Sequence, residues 1–146
     1  MKLILFSGTH PRHLFVNKVL LNLFEEILII VMERENLLLD PPNNLVLKDK
    51  KLFLRHFQNR FEKELKYFGN LDAKLIFKNH NVIFVKPNEL NSIELMQNIV
   101  SFEPDFSFIF GTDLIKNPVL SVLPKNTINL HLGLSPWYRG SATLFW

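Results

Sequence analysis

Asn129 and His131, separated by one residue, are the pair in the sequence best suited to chemistry. They lie at the end of a run, 127–131, that is predicted to be a strand. Both side chains should therefore point to one face, with Leu130 on the other. An amide and an imidazole can both donate to a developing oxyanion, and the imidazole can carry a proton near neutral pH. Alone the pattern is not specific, since a solvated polar strand end would look the same.

Two further polar segments also follow apolar runs. Ser7-Gly8-Thr9-His10 precedes Pro11, which is predicted to open a helix, and the N–H groups at a helix N-terminus favour an anion. A plain strand-to-helix turn explains this segment equally well, because it lacks a full Gly-x-Gly-x-x-Gly and a Walker lysine. The other segment is Phe110-Gly111-Thr112-Asp113, in which Asp113 is predicted to cap a helix beginning at Leu114.

These segments are positioned by alternating strands and helices. The predicted strands cover residues 3–6, 27–32, 75–77, 82–85, 106–110 and 127–131. The predicted helices are one that opens at Pro11 and those over residues 48–68, 90–102 and 114–123. The alternation indicates an α/β protein with a three-layer, Rossmann-like architecture: a mostly parallel sheet with helices on both faces, in one domain spanning 1–146. Ligands of such sheets bind at the carboxyl ends of the strands.

Apolar periodicity predicts which face of each helix is buried. The expected inward residues are Leu14, Val19 and Leu23 in the first helix, Phe53, Phe57, Phe61, Leu65 and Phe68 in the second, and Ile93, Met96 and Val100 in the third. The opposite face of the second helix carries Arg55, His56, Arg60, Lys63 and Lys66. We interpret it as a solvated face from which Arg60 or His56 could still reach a substrate.

Composition narrows the class of protein. The 146 residues are 47% apolar and 21% charged, which is typical of a globular domain. The net charge of +3 is spread along the chain, so we expect no nucleic-acid partner, although an anionic small molecule is compatible with it. The chain has no cysteine, and its five histidines lack metal-ligand spacing, so we expect no metal. Polar residues interrupt the apolar stretch 19–32 and no secretory signal is evident, so we expect a cytoplasmic protein.

The stretch from Ile128 to Trp146, which contains this pair, resembles the signature of 10-formyltetrahydrofolate-dependent formyltransferases. In that family an Asn-x-His pair is followed by a Leu-Ser-Pro type of loop and then Arg-Gly, and here the run reads Ile-Asn-Leu-His-Leu-Gly-Leu-Ser-Pro-Trp-Tyr-Arg-Gly. The resemblance is strong over the last third of the chain and extends more weakly to the first strand and the Phe110-Gly111-Thr112 strand end.

The resemblance implies roles for the polar segments. Asn129 and His131 would be two members of an Asn–His–Asp catalytic set that passes the formyl group of 10-formyltetrahydrofolate to an amine. The folate pocket would be bordered by Phe110, Gly111, Thr112, Leu134, Ser135, Pro136 and Tyr138. The acceptor would meet Ser7, Gly8, Thr9, His10 and Arg139. The family's aspartate would lie beyond Trp146, so we expect the domain to be incomplete at its C-terminal end and the 146-residue chain alone to be inactive.

Three branches of the family differ in their acceptor. Ser-Gly-Thr-His-Pro-Arg-His at Ser7–His13 and the pattern between Arg55 and Gly69 look most like enzymes that formylate nucleotide-linked amino sugars, as in lipopolysaccharide O-antigen biosynthesis. Methionyl-tRNA formyltransferase is the alternative, while the purine-synthesis branch fits less well because its phosphate loop differs. A homodimer of the full-length form is compatible with this resemblance. A third class of hypothesis is an inactive fragment or a non-catalytic module that binds folate or nucleotide.

Overall fold

A five-stranded parallel sheet organises the protein, as seen in a computed structural model that describes residues 1–34, 38 and 40–131. The strands are β1 (Lys2–Gly8), β2 (Glu26–Met32), β3 (Asn81–Val85), β4 (Phe106–Phe110) and β5 (Thr127–Asn129). Their order across the sheet is β3-β2-β1-β4-β5, and every pairing is parallel. The predicted Rossmann-like α/β class is confirmed.

Helices cover both faces of the sheet. They are α1 (Pro11–Leu20), α2 (Leu47–Phe68), α3 (Ala73–Ile76) and α4 (Ile93–Phe102), with a 3₁₀ turn at Val119–Val122. Alternate residues of the central strand serve the two sides: Ile4 and Phe6 pack with α4 and the 3₁₀ turn, whereas Leu3 and Leu5 pack with α1 and α3. Burial of each such side chain contributes about 1.5–3 kcal/mol. Because β1 packs against helices on both of its faces, it lies at the centre of the core.

One predicted strand is wrong. Residues 75–77 were expected to be extended, but α3 occupies Ala73–Ile76. The reason is local: an Asp72 carboxylate oxygen accepts from the Lys74 N–H at 2.7 Å, which caps the first turn. The expected helix over 114–123 is also wrong, because Pro118 has no N–H and only the short 3₁₀ turn forms after it.

The predicted inward faces of two helices need correction. In α1, Val19 is 57% exposed and Leu23, beyond its end, is exposed too; the buried residues are Pro11, His13, Leu14 and Asn17. In α4, Ile93 and Val100 are exposed and Leu95 and Ile99 are buried instead. The α4 helix begins after Ser92, whose Oγ accepts from the Leu95 N–H. Leu95 and Ile99 belong to the same core cluster as Ile4 and Phe6, so packing against the sheet determines which stripe is buried.

Candidate active site

The three polar segments lie side by side at one edge of the sheet. Ser7 of β1 is opposite Phe110 of β4, and Ile109 of β4 is opposite Asn129 of β5. Because all three strands are parallel, the residues that follow them emerge at the same carboxyl edge. The structure therefore brings together Ser7–His10, Phe110–Thr112 and Asn129–His131.

Asn129 and His131 lie at the exposed end of this row. Both residues are exposed, while Leu130 between them is half-buried. The Leu130 N–H donates to the Ile109 carbonyl at 2.9 Å, so pairing with β4 continues one residue past the end of β5. Their side chains are thus accessible to a ligand that lies over β4 and β5, where an amide N–H and an imidazole can act on a carbonyl oxygen and a proton.

The segment after β1 is more enclosed. Ser7 is fully buried and its hydroxyl donates to the Gly8 carbonyl at 2.8 Å, whereas Thr9 and His10 are half-buried. On β4, Phe110 is buried and Thr112 is half-buried; the Thr112 Oγ1 is a buried atom without a hydrogen-bond partner among the described residues. Leu134, Ser135, Pro136, Tyr138 and Arg139 lie outside the described residues.

The ends of β1 and β4 are joined through two glycines and His13. A Cβ on Gly8 would lie 2.2 Å from the Gly111 carbonyl oxygen. Gly111 has φ +86°, and a Cβ there would lie 2.1 Å from Nδ1 of His13. The His13 ring also meets the Phe110 ring edge-on, with 4.6 Å between centroids. His13 is therefore a wedge packed between both loops, a role that no sequence pattern predicted.

Beside this wedge, Arg12, Arg60 and Glu64 form an ion-pair group that we call the arginine–glutamate cluster. Nη1 of Arg12 and Nε of Arg60 both donate to Oε1 of Glu64, the Arg60 bond being 2.9 Å long. Glu64 is only 9% exposed, although it lies on the α2 face that was predicted to be solvated. The cluster joins α2 to the first turn of α1, next to the end of β1.

Burial controls the charge of the two histidines here. Desolvation, followed by the charge of Arg12, lowers the pKa of His10 from 6.5 to about 4, while Glu64 partly opposes the shift. Desolvation, followed by the charges of Arg12 and His10, lowers the pKa of His13 from 6.5 to about 2. Both rings are neutral at pH 7. Burial also lowers the pKa of Arg12, but a guanidinium stays protonated at neutral pH.

A second ion pair crosses the same edge. Nη2 of Arg34, which follows β2, donates to Oδ1 of Asp113, which follows β4. The interpretation of Asp113 as a helix cap is wrong, since no helix begins at Leu114. Within the described residues no group of three or more potential ligands could hold a metal, and no helix there is long and apolar enough to cross a membrane.

The parallel sheet, with polar groups at the carboxyl edge of its central strands, places the protein in the Rossmann-like α/β class. Sequence comparison refines this assignment. No family model matches the chain. The chain is 36% identical over 84 residues to a methionyl-tRNA formyltransferase of Clostridium perfringens, which covers 56% of the chain and 27% of that protein. It is 27% identical over 75 residues to that of Desulforamulus reducens, covering 51% of the chain and 24% of the relative.

A third relative of the same name, from Porphyromonas gingivalis, is 26% identical over 72 residues, covering 49% of the chain and 22% of that protein. The chain thus spans about a quarter of the length of the curated relatives it matches. These partial matches support a relationship to the formyltransferases.

Proposed function

We propose that this chain carries part of the active site of an enzyme that transfers a formyl group from 10-formyltetrahydrofolate to an amine. The observation that carries the proposal is the placement of Asn129 and His131, exposed at the end of β5 and beside the Phe110–Thr112 end of β4. The similarity to methionyl-tRNA formyltransferases supports the same reaction.

The described residues fit the formyl donor. A polar group of the donor bound over β4 would give a partner to the buried Thr112 Oγ1, which has none among the described residues. The folate supplies a formyl group on nitrogen, whose carbon an amine can attack. The Asn129 amide would donate to the formyl oxygen as negative charge develops there. His131 would accept the proton that the attacking amine releases and return it to the departing nitrogen.

Two acceptors are supported by separate observations. The names of the relatives favour methionyl-tRNA as the acceptor. The run from Ser7 to His13 and the Arg55–Gly69 pattern favour a nucleotide-linked amino sugar instead. We place methionyl-tRNA first, although the spread of charge led us to expect no nucleic-acid partner, because its support comes from an alignment over about half the chain rather than from short motifs.

Calorimetric titration of the 146-residue chain with a stable 10-formyltetrahydrofolate analogue tests the shared part of the proposal. We expect saturable binding that Asn129→Ala weakens by up to about tenfold, the loss expected when a neutral hydrogen bond to the ligand is removed. The matched control is Asn126→Ala, an exposed asparagine just before β5, which should bind as the unmodified chain does. Absence of binding by a folded chain, or equal weakening by the control, would contradict the proposal.

Titration of the same chain with methionyl-tRNA and with a nucleoside-diphosphate-linked amino sugar tests the choice of acceptor. We expect tighter binding of methionyl-tRNA. A clear preference for the amino sugar would reverse the order of the two candidates without affecting the folate result.

A further inference from the structure

The arginine–glutamate cluster contains more positive charge than its carboxylate neutralises. Two guanidinium groups share the single carboxylate of Glu64, and His10 and His13 beside them are neutral at pH 7, which leaves one net positive charge. We propose that Arg12 and Arg60, held in place by Glu64, bind a phosphate group of the amine acceptor. The proposal rests on the proposed function, because it assigns the acceptor half of the same site.

The hydrogen-bonding capacity of the two arginines is mostly unused. Each guanidinium has five N–H donors, and both arginines donate to the same oxygen, Oε1 of Glu64. The Nε of Arg12 is buried without a hydrogen-bond partner among the described residues. The side chains are 18% and 25% exposed, so they are partly desolvated yet still accessible. A planar, partly desolvated pair of guanidinium groups favours a multivalent oxyanion such as phosphate.

The first turn of α1 adds to this attraction. It contains no acidic residue, and the His10 side chain at the N-cap makes no capping hydrogen bond. The positive end of the helix dipole is therefore not neutralised by a side chain of α1 itself, and it lies where Arg12 leaves the helix. The carboxylate of Glu64 comes from α2 and serves both arginines, so it positions the guanidinium groups rather than capping α1.

The distance to the proposed catalytic pair fixes the kind of acceptor. Adjacent strands lie about 4.8 Å apart, so β1 and β5, with β4 between them, are on the order of 10 Å apart. An acceptor with its phosphate at Arg12 and Arg60, on α1 and α2, and its amine at Asn129 and His131 must extend across β4, so it must carry the two groups well apart. Both the aminoacyl end of a tRNA and a nucleotide-linked amino sugar have this chemistry, whereas a simple phosphorylated amine does not.

Calorimetric titration of the 146-residue chain with inorganic pyrophosphate is the direct test. We expect saturable binding that weakens about tenfold in Arg12→Gln and in Arg60→Gln, since each change removes a charged donor. The matched control is Arg55→Gln, on the same helix at an exposed position, which should leave the affinity unchanged. Glu64→Gln keeps an oxygen that can accept from both arginines and removes a like charge beside the anion, so it should strengthen binding severalfold.

The opposite signs of the arginine and glutamate variants separate an anion site from a purely structural ion-pair network. In a structural network all three changes lower the unfolding temperature and none specifically changes pyrophosphate affinity. No binding by the folded chain, equal weakening by Arg55→Gln, or weaker binding by Glu64→Gln would overturn the proposal.

Two further measurements identify which molecule supplies the phosphate and separate failure of this inference from failure of the proposed function. Displacement of bound pyrophosphate by methionyl-tRNA or by a nucleoside-diphosphate-linked amino sugar shows which phosphate the site prefers. Titration with the folate analogue is independent of both. Folate binding without pyrophosphate binding would reject this inference alone, whereas the reverse would reject the proposed function and leave an anion site.

Discussion

The two ends of the row of loops at the carboxyl edge differ in how they are built. β1 has six of its seven residues buried, and the loop after it is fixed by two glycines, a buried histidine and an ion-pair cluster. β5 has three residues, all exposed, and it is paired to β4. The difference teaches that this edge combines a tightly packed end at β1 and β4 with an accessible end at β5. Under the proposed function, the first would position the acceptor and the second would carry the chemistry.

The largest difference between the two ends should appear on truncation of a core side chain. Ile4 of β1 is fully buried, whereas Ile128 of β5 is 56% exposed. We expect Ile4→Ala to lower the free energy of unfolding by about 2–5 kcal/mol through lost burial and a cavity. Ile128→Ala should lower it by less than about 1 kcal/mol. Urea denaturation measures both, and similar losses at the two positions would contradict the comparison.

Crowding at the end of β4 predicts that replacing Gly111 lowers the free energy of unfolding somewhat less than Ile4→Ala does. Gly111→Ala places a methyl group against His13 at a positive φ, so we expect a loss of about 2–4 kcal/mol. Gly69 is a matched control, since its φ is +84° but its nearest neighbour to a new Cβ is 4.0 Å away. Gly69→Ala should cost only the backbone strain, about 1 kcal/mol. Equal losses in thermal or urea unfolding would show that His13 does not act as a wedge.

Acidification should destabilise the β1 end gradually, with a small effect for each fraction of a pH unit. Because its pKa is lowered from 6.5 to about 2, folded His13 binds no proton at pH 4–6.5, whereas the unfolded chain does. The unfolded state therefore gains protons first, and the free energy of unfolding falls as pH drops below 6.5, by up to about 1.4 kcal/mol per pH unit for this group. His10 adds a similar slope down to its pKa of about 4.

His13→Phe keeps an aromatic ring in the wedge and removes its titration. The pH dependence of unfolding should then become shallower by one proton between pH 6.5 and 4. Unfolding curves collected across this range measure the slope directly. Parallel profiles for the variant and the unmodified chain would show that His13 is not the group responsible.

The sequence predicted those parts of the fold that depend on apolar patterning. Continuous apolar runs gave β1, β2 and β4, and the three- to four-residue spacing of phenylalanines gave α2 to within one residue at its start. Ile93 and Val100 were assigned inward because the apolar residues of α4 form more than one stripe. Packing of α4 against the sheet, which buries Leu95 and Ile99, decides between them.

The proposed catalytic residues could be identified from the sequence, whereas the packed residues beside them could not. Asn129 and His131 are near in sequence, so their spacing could be interpreted directly, although their roles remain predictions. Arg12 and Glu64 are 52 positions apart, and no local pattern links them. His13 and Asn17 are polar residues on the buried face of α1, opposite to what amphipathic patterning predicts, so tertiary packing alone reveals them.

The strand order also determines when both edges of β1 can be paired during synthesis. β1 pairs on one side with β2, which follows within about twenty residues, but its other partner is β4, where Leu3 meets Phe106. A ribosome adding 5–20 residues per second needs on the order of 5–20 s to make the intervening chain. Throughout that interval the central strand of the sheet has one open hydrogen-bonding edge. Since unpaired apolar segments attract chaperones, we expect slower translation to lengthen the time in which the nascent chain is open to them.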